Sequence, residues 1–123
     1  MNYGYKNNAN KHLDLDSKDE KDRMFIQLYN YVASQVSIES LKILEIGSGR
    51  GGGASFVARY YKPMSMTGLD YSASAINLSK KLLSLSCVSH NVSLSHVNGS
   101  GAVSPDSLCC QSIGGLYAHA LSA

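Results

Sequence analysis

At 123 residues the chain has room for one domain with a real core and is too short to be read as two. A hydrophobic fraction of 44% with 16% charged residues reads as globular, and a net charge of +2 gives no electrostatic basis for a nucleic-acid partner. No apolar run nears the roughly 18 residues of a membrane helix, and the N-terminus lacks the apolar core of a secretory signal, so the expectation is a cytoplasmic protein with no membrane span.

The first sixteen residues are polar with scattered tyrosines. "SKDEKDRMFIQLYNYVASQV" then sets Phe25, Leu28, Tyr29, Val32 and Val36 at helical spacing, with Ser17 and Glu20 at the separation of a capping box. "LKILEI", Leu41 to Ile46, reads as a strand buried on both faces of a parallel sheet. A glycine loop follows, and "GASFVARYY" reads as a short helix closed by Pro63. "MSMTGLD" is a second strand ending in Asp70, and "SASAINLSKKLLSLS" a second amphipathic helix capped by Ser72. "NVSLSHV" alternates Val92, Leu94 and His96 on one side with serines and Val97 on the other, which predicts a third strand. Helix, strand, helix, strand, helix, strand is the order that builds a parallel α/β sheet with helices packed on it.

After Asn98 the character changes: the remainder has no lysine or arginine, Asp106 is its one acid, and it receives no helix or strand. Residues 1–102 are therefore expected to form the folded unit and 103–123 an unassigned tail. Cys87, Cys109 and Cys110 have neither a disulfide nor a metal-site pattern and read as reduced thiols, with no metal expected. Asn-x-Ser triplets at Asn77, Asn91 and Asn98 have no secretion signal beside them and read as coincidence.

The loop "GSGRGGG", Gly47 to Gly53, carries five glycines in seven residues between a strand and a helix pattern. Gly47 allows a tight bend, Gly49 lets backbone approach a ligand, and Gly51 to Gly53 permit close helix packing, with helix-terminal amides facing the ligand. Gly47, Gly49 and Gly52 satisfy G-x-G-x-x-G, which by itself fits any dinucleotide-type cofactor. Glu45 narrows the choice: a carboxylate beside a pyrophosphate repels it, whereas S-adenosylmethionine has no phosphate and carries an ammonium. Its structural alternative is a solvent-facing residue opposite Leu44 and Ile46. Asp70, 23 positions after Gly47, stands where a carboxylate meets ribose hydroxyls, with capping of the next helix as the alternative. Tyr71 beside it reads as an adenine-packing ring or as an ordinary core tyrosine.

"LKILEIGSGRGGGASFVARYYKPMSMTGLDYS" resembles the cofactor motif of class I S-adenosylmethionine-dependent methyltransferases, in particular the phthiotriol and phenolphthiotriol dimycocerosate methyltransferase group. "MNYGY" and "DEKDRMFIQLYNYVA" are similar to the leader and first helix of that group, so the resemblance reaches over roughly the first hundred residues. It implies a Rossmann-like domain, present as its N-terminal half, from an enzyme that methylates a lipid or polyketide-like acceptor, most often at a hydroxyl. By position, Glu45, Gly47, Ser48, Gly49 and Gly51 would hold the methionine end, Asp70 the ribose, and Tyr3 and Tyr5 would belong to a lid or else to a frayed terminus. Where the family has an aspartate that reads the adenine amino group, this chain has Ser100, a weaker acceptor. The acceptor-binding half is not recognisable. His12, His90, His96 and His119 fall in no matched catalytic motif, and no catalytic residue is assigned.

Lacking a fourth strand, "LKILEI" would become a sheet edge, an aggregation hazard unless the tail folds back on it through "SIGGLYAHAL" or a protein partner covers it. The alternative functional reading is a non-catalytic fragment or cofactor-binding remnant. An NAD-dependent oxidoreductase keeps the glycines and leaves Glu45 unexplained.

Overall fold

The structure, a computed structural model, describes residues 3–6, 13–84, 91–97, 111–113 and 116–119. A 3-10 turn, Glu20–Asp22, leads into α1 (Arg23–Ala33), followed by β1 (Lys42–Ile46), α2 (Gly52–Tyr61), β2 (Ser65–Asp70), α3 (Ala73–Ser84) and β3 (Val92–His96). Two short strands, β4 (Gln111–Ile113) and β5 (Leu116–His119), complete one sheet of order β3-β2-β1-β5-β4. β1, β2 and β3 are parallel, with helices in the connections, which is the α/β arrangement that the alternation predicts and the Rossmann-like one that the resemblance implies.

Register sorts the sheet into two faces. Glu45 pairs with Gly68 and Gly68 with Leu94, while Ile43 pairs with Met66 and Met66 with Val92. Ile43, Glu45, Met66, Gly68 and Leu94 are buried, and with Ile26, Ala33, Ile38, Ala54, Phe56, Val57, Ile76 and Leu83 they form the core. On the other face Leu44, Thr67 and Leu69 are half-buried and Ile46 is 48% exposed. β1 is therefore covered on one face only, which corrects the expectation of burial on both: every core contribution from α1, α2 and α3 lands on the Glu45 side.

Of the alternatives for the β1 edge, the folded-back tail is the one observed. β5 lies antiparallel against β1, with Lys42 opposite His119 and Glu45 opposite Leu116, so the tail segment supplies the neighbour that β1 lacks. The covering segment is the one anticipated, and it carries β-structure where no element was expected. Among the described residues, no helix is long and apolar enough to cross a membrane.

The capping box at Ser17 and Glu20 does not form. Ser17 lies in a turn, and the Glu20 carboxylate accepts from the Arg23 guanidinium at 2.8 Å, which removes it from any capping role. Asp19 is taken as well: it accepts from both arms of Arg59 and, at 2.7 Å, from the Tyr60 hydroxyl, which ties the leader to α2. On α1 the inward residues are Ile26 and Ala33, and Phe25, expected in the apolar stripe, is exposed. Ser72 caps α3 as predicted, its hydroxyl accepting from the Ala75 amide at 3.2 Å. α2 ends at Tyr61 with Lys62 in a left-handed conformation just before Pro63.

Candidate cofactor site

The chain leaves β1 through three left-handed glycines at alternate positions: Gly47 (φ 76°), Gly49 (φ 52°) and Gly51 (φ 77°). A side chain in that region costs roughly 1 kcal/mol or more, so three in five residues leave glycine little competition. The loop is strapped to β2. The Gly47 and Ser48 amides both donate to the Leu69 carbonyl, at 2.8 and 3.0 Å, and the Gly49 amide donates to Asp70 Oδ2 at 2.7 Å.

The glycines divide into two kinds. A Cβ on Gly47, Gly49 or Gly52 would meet nothing within 4 Å, so this side of the loop presents bare backbone to open space. A Cβ on Gly51 would press on Ser79 and Leu94 at 3.2 and 3.3 Å, and one on Gly53 would strike Glu45 Oε1 and the Tyr29 ring at 2.5 Å. Gly51 thus belongs to the loop by sequence and to the packing against α3 and β3 by contact.

Glu45 faces inward and is only 7% exposed, which overturns its solvent-facing alternative. The cause is geometric: α2 crosses the sheet on the face that holds Ile43 and Glu45. The Ala54 amide donates to its carboxylate, but Oε2 has no hydrogen-bond partner among the described residues. Burial, reinforced by the Asp70 charge and opposed by the Ala54 amide, pushes the Glu45 carboxyl up to about 7. The Ser48 hydroxyl, on the same loop, is likewise buried without a partner.

Asp70 closes the far side. Its Oδ2 accepts from Gly49 and its Oδ1 from the Ser72 amide at 2.7 Å, leaving each oxygen a further lone pair. The carboxylate therefore joins the glycine loop to the start of α3. Tyr71 is 77% exposed, which rules out the core alternative for its ring. His96, paired with Asp70 in the parallel register, stands beside it, the two ring centroids 6.4 Å apart at 47°. Sequence reading assigned His96 no role here, although its alternation with Leu94 already put it on the Asp70 side of the sheet.

Ser100 lies outside the described residues, as do His12 and His90. Tyr5 packs on Tyr31 of α1 at 5.1 Å, its amide donating to the Met24 carbonyl, while the Tyr3 ring is 83% exposed. Two groups near Glu45 escaped sequence reading, the Tyr29 ring and the Ala54 amide. Tyr29 had a readable place in the α1 stripe, but its meeting with Gly53 depends on how α1 packs on α2.

No known family profile matches the chain. Over 81 residues, 66% of this chain, it is 41% identical to the fatty-acid O-methyltransferase of Mycolicibacterium smegmatis. Over a stretch of the same length it is 40% identical to the phthiotriol/phenolphthiotriol dimycocerosates methyltransferase of Mycobacterium tuberculosis. Over these residues the chain is homologous to methyltransferases. Each match covers 30% of the relative, so the chain spans about that share of the methyltransferases it resembles. Among solved structures, the [4+2]-cyclase SpnF superposes with a TM-score of 0.64 at 23% identity, over 85% of this chain and 36% of that one. Geranyl diphosphate C-methyltransferase from Streptomyces coelicolor gives a TM-score of 0.61 at 17% identity, over 80% and 41%. These two likenesses show the Rossmann-like fold over part of each neighbour.

Proposed function

We propose that the β1–α2 loop and the end of β2 hold S-adenosylmethionine, and that the chain serves methyl transfer to an oxygen of a lipid or polyketide-like acceptor. The observation that carries this reading is the Glu45 carboxylate, buried behind a loop of bare backbone with one oxygen unpartnered. Such an atom suits a cationic or hydrogen-donating ligand, and the methionine end carries an ammonium. A dinucleotide pyrophosphate would meet a carboxylate instead, which disfavours the nicotinamide alternative.

In this reading the open sides of Gly47, Gly49 and Gly52 admit the methionine end, with Glu45 and the Ser48 hydroxyl as its polar partners. The remaining lone pairs of Asp70 accept from ribose hydroxyls, and Tyr71 offers an exposed ring face to adenine. Ser100 would take the adenine amino group. Bound there, the cofactor supplies an electrophilic sulfonium methyl. The work of these residues is to hold and orient, and a hydroxyl acceptor would in addition require a base. The names of the curated relatives, one a fatty-acid O-methyltransferase, support a lipid-like acceptor.

Calorimetric titration of the purified chain tests the site. Saturable binding of S-adenosylmethionine and its demethylated product, with none of NAD, is the expected outcome. A folded, soluble chain that binds none of them would be a cofactor-site remnant without catalysis. Glu45→Ala should weaken binding roughly 10- to 100-fold, the worth of a hydrogen bond to a charged group. Unchanged affinity would remove Glu45 from the site.

A further inference from the structure

Glu45 is enclosed from several elements. α2 contributes Gly53 and the Ala54 amide, α1 the Tyr29 ring, β2 the Asp70 carboxylate, and β5 sets Leu116 opposite it in the sheet. The titratable groups facing it among the described residues are thus an acid and a phenol, and neither neutralises a carboxylate. Oε2 is buried and unpartnered. An ionised carboxylate in such surroundings is costly, whereas a neutral carboxyl tolerates them.

We propose that cofactor capture at this site is a proton exchange, in which Glu45 is a neutral carboxyl before binding and gives up its proton as the ammonium of the methionine end arrives. This rests on the S-adenosylmethionine reading and deepens it. The balance is simple: the Glu45 O–H bond breaks, the proton leaves to solvent, and the carboxylate forms an ion pair with the ligand ammonium. No electrons move. The shift of the free carboxyl to about 7 agrees with the direction of the exchange. Affinity for ligands with the amino-acid end should therefore rise with pH between about 5 and 7, and that for ligands without it should not.

The experiment is calorimetry on the whole chain at about pH 6 in two buffers of different ionisation enthalpy, which counts protons released per ligand bound. The probes are S-adenosylhomocysteine, which has the ammonium, and 5′-methylthioadenosine, which lacks the amino-acid end. About one proton should leave with the first and none with the second. Glu45→Gln, neutral at every pH, should bind S-adenosylhomocysteine with no proton released. Binding of both probes by the parent chain with equal proton counts would overturn the exchange and leave the cofactor reading standing. Release that persists in Glu45→Gln would also overturn it, placing the proton elsewhere. Failure of both probes to bind would overturn both readings. Should Glu45→Gln not fold, the difference between the two probes on the parent chain still decides.

Discussion

Glu45 is under opposing demands. Its carboxyl is raised from 4.5 to about 7 on folding, so the folded state binds its proton more tightly than the unfolded state does. The stability associated with that proton is full below about 4.5 and falls away as pH rises through about 7, by on the order of 3 kcal/mol. Glu45→Gln should accordingly be the more stable protein at about pH 8, with the advantage fading at about pH 4, as chemical denaturation at the two pH values would reveal. The same variant should bind the cofactor less well. Gly53→Ala, which drives a methyl into Glu45 and Tyr29, should cost about 1–3 kcal/mol. Gly52→Ala meets no neighbour and should leave the melting temperature level or raised while weakening cofactor binding, because its methyl enters the open side of the loop. Sequence alone left Glu45 with two readings, since alternation says that it opposes Leu44 and Ile46 but not which face the helices cover. The packing of α2 decides that, and it is a contact between distant residues.

At the scale of elements, α2, α3 and the three parallel strands were legible because each is a local pattern: an aliphatic run, a glycine loop, a serine cap, a proline stop. The start of α1 was not. Two acids just ahead of it have other partners, Glu20 the Arg23 guanidinium and Asp19 the Arg59 guanidinium. The Arg59 hydrogen bonds hold the Asp19 carboxyl below its ordinary value, so its contribution is present at neutral pH and fails as pH falls through the carboxylate range. The Tyr60 hydroxyl accepts from the Asp16 amide at 2.9 Å, a second tie on the same segment. Arg59→Met should therefore loosen the leader more than the sheet. Hydrogen exchange of residues 13–22 should accelerate while that of β1 and β2 stays protected, with a total loss of about 1–3 kcal/mol.

For the molecule as a whole, β5 determines whether β1 is interior or edge. After Asn98 no helix or strand was legible, although "SIGGLYAHAL" was named as a cover for β1, since strands as short as β4 and β5 have no periodicity to count and the β1 partner of β5 lies some 70 residues away. Deleting residues 111–123 should leave the β1 backbone unpaired on one side and lower solubility, seen as concentration-dependent light scattering. The sheet face bearing Ile46 would be open in either protein.

A strand beside β1 can run in one direction only. β5 runs opposite to β1, whereas a strand delivered through a helical crossover would run parallel to it and claim the same amides and carbonyls. The two arrangements are mutually exclusive occupants of one row of hydrogen bonds. Any longer parallel sheet built on β1 must first displace β5, and the rate at which it departs sets how fast this chain could enter such an assembly.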